Sequence, residues 1–153
     1  PLMLVGDATF AGFYLNELLV RLLTVEEPQI ELFALYTESL AQLNQRELLE
    51  PVLRRFERCL LGTLGYAFNF HHDVTGQAIL ADKSYFYYPE EGFVVARSPT
   101  AEAWQGRALL AIAQEDFSQS STRQTAKLIL RRALAQQLGT KPLKSRELWQ
   151  RTP

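Results

Sequence analysis

A chain of 153 residues, 47% hydrophobic and 22% charged, suits one buried core and is too apolar for an intrinsically disordered segment. No apolar run approaches the ~20 residues of a membrane-spanning helix, and the start lacks the basic region and small-residue cleavage site of a secretory leader, so no membrane partner is expected. The formal net charge of −1 conceals an uneven distribution: eight Lys/Arg against sixteen Asp/Glu up to Thr122, then eight against one from Arg123 onward. An acidic body of −8 thus carries a basic end of +7, a pattern that points to a polyanion or an acidic peptide as partner.

The single Cys59 has no partner for an intrachain disulfide, which fits a reducing, cytoplasmic compartment. The chain opens on Pro1-Leu2-Met3-Leu4-Val5 rather than at an initiator, and the expectation is a fragment whose N-terminal part is missing. Residues 8–24 then read as a helix. Phe13, Leu15, Leu18, Leu19, Leu22 and Leu23 cover most of its surface, broken only by Asn16, Glu17 and Arg21, so it is expected to be buried nearly all round. Glu26-Glu27-Pro28 ends it, because proline disfavours a helical residue before it.

A second helix over about 29–44 puts Ile30, Phe33, Leu35, Tyr36, Leu40 and Leu43 mostly on one side. A third spans about 47–64, with Pro51 tolerated in its first turn and Val52, Phe56, Leu60 and Leu64 spaced as a core-facing stripe. From Tyr66 to Arg97 the composition shifts to aromatics and turn formers. Tyr85–Tyr88 and Phe93–Ala96 flank Pro89-Glu90-Glu91-Gly92 and predict a hairpin within a subregion of about 70–97, with a short strand near Ile79 joining it. A short helix over about 106–114 and a cationic one from about 120 follow. Ser120 or Ser121 is the expected cap of the latter and Gly139 its stop. Ser145 is placed to cap a last turn reaching Trp149. The fold class is therefore mainly α, a helical bundle with a small β-hairpin insertion, in one domain over 1–153.

Few constellations suggest chemistry. His71 and His72 are adjacent, point opposite ways on an extended segment, and have no third ligand at useful spacing, so a surface turn is the simpler reading than a metal site. Cys59 has no histidine nearby, and no nucleophile elbow, phosphate-cradling glycine loop or zinc-protease helix is present. No cofactor is implied and nothing argues for an enzyme. The cations are more informative. Arg123, Lys127 and Arg131 recur every four residues, a single row beside the apolar Ala126, Ile129, Leu130, Ala133 and Leu134. Arg54 and Arg58 form a similar pair beside Phe56 and Leu60, and Lys141, Lys144 and Arg146 extend the basic end. Such rows neutralise phosphates, seat an acidic peptide with a hydrophobic end residue, or simply form a solvated face.

Three motifs in register then identify a resemblance. Gly12-Phe-Tyr-Leu-Asn-Glu-Leu-Leu19, Leu53-Arg-Arg-Phe-Glu57 with Leu60-Leu-Gly-Thr-Leu-Gly-Tyr66, and Lys141-Pro-Leu-Lys-Ser-Arg-Glu-Leu148 occur in the same order in the RecO family of bacterial DNA repair proteins. The resemblance covers nearly the whole chain and is to that family's C-terminal helical region; the family's N-terminal oligonucleotide-binding (OB-fold) barrel has no counterpart here. It implies a recombination mediator, cytoplasmic and nucleoid-associated during repair. Such a protein binds single- and double-stranded DNA, anneals strands, and with RecR helps RecA recombinase replace single-strand-binding protein.

It further implies docking of the acidic C-terminal tail of single-strand-binding protein, which ends in a Phe with a free carboxylate. That role is carried onto Arg54 and Arg58, with Lys127 and Arg131 as a second rim and Phe56, Leu60 and Leu130 as candidate lining. Many relatives carry a four-cysteine zinc module after the Leu-Gly-Tyr motif. Here no cysteine occupies that segment, so the zinc role does not transfer, and aromatic packing of the hairpin is expected in its place. The alternatives left open are a generic nucleic-acid-binding helical domain with no peptide pocket, and an enzyme fragment whose active site lies outside this chain.

Overall fold

Helix α1 (Asp7–Leu22) runs through the middle of the molecule, burying Ala8, Ala11, Gly12, Leu15, Leu18 and Leu19. The computed structural model of the chain describes residues 4–23, 29–98 and 100–151. Burial of α1 is one-sided rather than complete: Phe13 and Val20, in line with Asn16, stay exposed. The expected stop at Glu26-Glu27-Pro28 lies outside the described residues; α1 itself ends where Leu23 turns extended.

Helix α2 (Ile30–Gln42) rests against α3 (Leu49–Thr63), which a single 3-10 turn (Arg46–Leu48) introduces. The α2 face differs from expectation. Leu32, which the periodicity reading left out, is buried with Leu43, while Ile30 and Phe33 are exposed. Pro51 occupies the first turn of α3, where a missing N–H costs nothing. Val52, Leu53, Phe56, Leu60 and Leu61 of α3 enter the common core.

Strands β1 (Ser84–Tyr88) and β2 (Gly92–Val95) form the expected hairpin, with Tyr85 opposite Val95 and Tyr88 opposite Gly92. The third strand is not the one predicted. Near Ile79 there is only a bridge between His72 and Ala78, closing a turn in which Asp73 Oδ1 accepts from the Thr75 and Gln77 amides and the Thr75 hydroxyl. The free edge of β1 is taken instead by β3 (Trp104–Gln105), giving the antiparallel order β2-β1-β3. Phe68, Phe70, Tyr87 and Phe93 pack beneath the sheet with ring centroids 5.2–6.2 Å apart.

Helix α4 (Gly106–Ala113) leads into the long α5 (Ser120–Leu138), and α6 (Lys144–Arg151) returns along α1. Neither expected serine cap forms. Gln119 precedes α5 without a side-chain cap, and Asp116 instead binds the Ser118 amide and hydroxyl just upstream. Ser145 lies inside α6, whose first amides are met by Glu17 of α1. Gly139, at φ 71°, does stop α5.

Gly106 is the tightest backbone approach: a Cβ there would lie 1.9 Å from the Leu80 carbonyl oxygen and 3.0 Å from that of Lys83, to which its own amide donates. Gly106→Ala should therefore cost at least about 3 kcal/mol, since the obstruction is backbone rather than a flexible side chain. Gly65→Ala, at φ +88° in open space, should cost only about 1 kcal/mol. Urea denaturation of the two variants measures both, and equal losses would contradict the steric account.

Candidate peptide and anion cleft

The principal cleft, about 1190 Å³, opens between α1, α3, α5 and α6. Among the described residues six Arg/Lys line it: Arg46 and Arg54, Arg123, Lys127 and Arg131, and Arg146; Asp7, Glu50 and Glu57 are the acids among them. The α5 row faces inward because the 3.6-residue repeat puts positions 123, 127 and 131 on one flank, while Ala126, Ile129 and Leu130 on the next flank are buried. Apolar lining comes from Leu43, Leu49, Leu53, Phe117 and Trp149.

A buried charge cluster forms the wall between α1 and α3. Glu57 is 2% exposed and Arg54 5%. Arg54 Nε stands 3.1 Å from Glu57 Oε1 and 3.6 Å from Glu50 Oε2. None of those three atoms is aligned for a hydrogen bond, so the contact is an ion pair held by charge alone. The other Glu57 oxygen accepts from the Tyr14 hydroxyl. Burial pushes the Glu57 carboxyl above its ordinary range, with Arg54 and Tyr14 acting in the opposite direction. Burial, reinforced by Glu57, also raises the Tyr14 phenol well above its usual value. On the facing helices, partial burial and the nearby Arg146 lower the basicity of Arg131. Arg131, partly buried and next to Arg146, is thus the cleft cation whose charge an anionic guest would offset most directly.

The α6 wall is held in place from α1. The Glu17 carboxylate accepts from the Lys144 amide at 2.8 Å, the Ser145 amide at 3.0 Å and the Ser145 hydroxyl at 2.8 Å. One turn further along, Arg21 donates to the Leu138 and Pro142 carbonyls at 2.8 and 3.4 Å. Trp149 stacks on Phe10 with centroids 5.7 Å apart. Glu17 and Arg21, two of the three polar residues that interrupt the apolar surface of α1, are therefore the pair that docks the α5–α6 connection.

Of the residues singled out by sequence, Arg54, Arg123, Lys127, Arg131 and Arg146 converge on this cleft. Arg58 does not line it: its guanidinium lies 5.2 Å from the Phe70 ring centre and donates to the Ile112 carbonyl at 3.5 Å. Lys141 and Lys144 are exposed on and after the α5–α6 turn, outside the cleft. Phe56, Leu60 and Leu130 are fully buried core residues and not lining, because the stripe that places them inward on their helices points away from the cleft. Arg123 spends one donor nitrogen on the Phe117 and Ser118 carbonyls, at 2.7 and 3.1 Å. Sequence reasoning missed Arg46, Tyr14, Glu57 and Trp149. Only Glu57 had a signal, lying three residues after Arg54 where the two share a helix face.

The hydroxyls along the cleft are engaged: Ser118 with Asp116, Ser145 with Glu17, Tyr14 with Glu57. Among the described residues no three His, Cys, Asp or Glu side chains gather as a metal site, and no helix is long and apolar enough to cross a membrane. The arrangement is suited to binding a ligand that is anionic and partly apolar.

Comparison with known proteins agrees with the sequence resemblance. The family described as "Recombination protein O C terminal" matches residues 4–147. The chain is 46% identical over 146 residues to the DNA repair protein RecO of Pseudomonas putida strain W619, covering 95% of this chain. It is 44% identical over 149 residues to that of Pseudoalteromonas translucida strain TAC 125, covering 97%. The chain spans 64% of the length of each of these relatives.

Burial pushes the Glu17 carboxyl up, but hydrogen bonds from the Ser145 and Lys144 amides and the Ser145 hydroxyl outweigh it and hold the group below its ordinary range. A depressed folded pKa contributes stability above the unfolded value of about 4.3 and loses it as pH falls through the folded value. Glu17→Ala should therefore lower stability by about 1–2 kcal/mol at neutral pH, as loss of a helix cap does. The gap to the parent chain should shrink below about pH 4, where the parent's own cap is being protonated. Denaturant titrations across that range decide it, and a gap that is constant with pH would show that the charge of Glu17 contributes nothing.

Proposed function

The chain belongs to the RecO family, and on that premise we propose that its cleft seats the acidic C-terminal tail of single-strand-binding protein. The observation that carries the reading is the convergence of Lys127 and Arg131 of α5 with Arg146 of α6 beside the apolar Leu53, Phe117 and Trp149. A tail ending in Phe presents a carboxylate, further acidic side chains and a hydrophobic group within a few residues. Charge-assisted contacts to Arg and Lys and burial of the aromatic ring match those three demands. Arg131 and Arg146 are the better partners for the terminal carboxylate, because Arg54 is already engaged by two carboxylates of its own helix.

Around the cleft, Lys141 and Lys144 are exposed and serve as phosphate contacts for single- and double-stranded DNA. In this reading the domain is a non-catalytic adaptor within a recombination mediator, one that promotes strand annealing and, with RecR, loading of RecA recombinase. The second reading, a nucleic-acid-binding domain without a peptide pocket, draws on the same lysines, since they lie outside the cleft.

Calorimetric titration with a short acidic peptide ending in Asp-Phe-Pro-Phe, at two salt concentrations, separates them. One-to-one binding that weakens with salt is expected. Arg131→Glu and Arg146→Glu should each weaken it by about 2 kcal/mol or more, roughly thirtyfold. Unchanged affinity in both variants would remove the cleft as the peptide site. Absence of peptide binding, together with DNA binding whose affinity falls steeply with salt, would favour the second reading.

A further inference from the structure

A cleft adapted only to attract anions would hold no buried carboxylate, yet Glu57 lines this one at 2% exposure. Its neighbours come from every element packed around it. Tyr14 of α1 donates to one oxygen, and Arg54 of α3 stands 3.1 Å from the other. Glu50 shares Arg54 from the opposite side at 3.6 Å. Arg131 of α5 and Arg146 of α6 both interact with it electrostatically. Glu57 is therefore the internal occupant of the same positive potential that a ligand carboxylate would use.

Resting on the reading of the cleft as an acidic-peptide site, we propose that Glu57 is its specificity-determining residue, a built-in competing anion that takes up a proton from solvent when a ligand carboxylate enters. Two carboxylates cannot both stay ionised at close range in a poorly solvated site, and the one already disfavoured by burial yields. Tyr14 and Arg54 oppose that protonation, so the cluster weakens peptide binding at alkaline pH and the opposition fades as pH falls. The direction of the Glu57 shift is consistent with this, since its proton is already held more firmly than that of an ordinary glutamate. Ligand carboxyl groups have ordinary values near 3–4 and stay ionised through the range concerned.

The test is calorimetric titration of this chain with the Asp-Phe-Pro-Phe peptide at about pH 6 and about pH 8, in buffers of different ionisation enthalpy. Wild-type affinity should rise several-fold from pH 8 to pH 6 with net proton uptake on binding. Glu57→Gln, which removes the charge and keeps the shape, should bind about tenfold more tightly than wild type at pH 8 and lose the pH dependence. Damage to the fold does not produce a gain of affinity. Tyr14→Phe covers the case in which Glu57→Gln does not fold: with its donor gone, the carboxylate takes a proton more readily, and the pH dependence should move upward. Wild-type binding without proton uptake, a folded Glu57→Gln that binds no tighter, or an unmoved profile in Tyr14→Phe would each overturn the proposal and leave the peptide site standing. A wild-type chain that binds no peptide at either pH would overturn the reading of the cleft itself.

Discussion

An ionisable carboxyl removed from water has to be answered from within the protein, and the answer to Glu57 draws on four helices. Tyr14 reaches it from α1, Arg54 lies one turn back on α3, and Arg131 and Arg146 add positive potential from α5 and α6. Because the groups come from separate elements, the cluster constrains how those elements approach one another, which apolar packing alone does loosely. Its partners are also the walls of the cleft. Removing Arg54, the buried cation of the cluster, would leave the Glu57 charge uncompensated in the interior, a loss of several kcal/mol. The cluster thus couples folding to the electrostatic character of the site.

The same constraint changes how the charge asymmetry of the chain is read. A body of −8 beside an end of +7 suggests a basic surface awaiting a polyanion. Part of that charge is engaged in contacts within the fold. Glu17 of the acidic body receives the first amides of α6, Arg55 pairs with Glu115 at 2.8 Å, and Arg123 lends a nitrogen to two loop carbonyls. What faces the cleft among the described residues is a smaller excess, six cations against three acids, in a space with apolar walls. That excess favours a ligand with a few charges and a hydrophobic group over a uniformly charged strand.

Local patterns carried most of the fold. The helices of 7–22, 49–63, 106–113 and 120–138 follow from apolar spacing within a residue or two of each end, and the hairpin from Gly92 between aromatic runs. What escaped were pairings between distant residues. Strand β3 is two residues long and exists only because β1 has a free edge, so no window around Trp104 announces it. Glu17 caps a helix 127 residues away, and a capping rule that looks only upstream in sequence selects Ser145 instead. For the site, the α5 row was legible from its four-residue period. The same rule paired Arg58 with Arg54, yet a 40° step around α3 suffices to carry Arg58 to Phe70 and Ile112. Burial of Arg54 was not legible, because periodicity assigns a face and not the acid that follows the guanidinium into it.

The hairpin region, distant from the cleft in sequence, is tied to it by a series of close contacts. Phe68, Phe70, Tyr87 and Phe93 form one aromatic cluster, and Arg58 of α3 lies over the edge of it at Phe70. The sheet that covers this cluster ends at Gly106, whose amide donates to Lys83 and whose missing side chain lets α4 start against the Leu80 carbonyl. Helix α4 in turn fixes the connection at 114–119, where Arg55 holds Glu115 from α3 and Phe117 is buried with its side against the cleft. From there Arg123 anchors the start of α5, and with it the row of cations. Aromatic packing near the sheet therefore sets where the cationic wall begins, with rings 5.2–6.2 Å apart burying the segment beneath the hairpin.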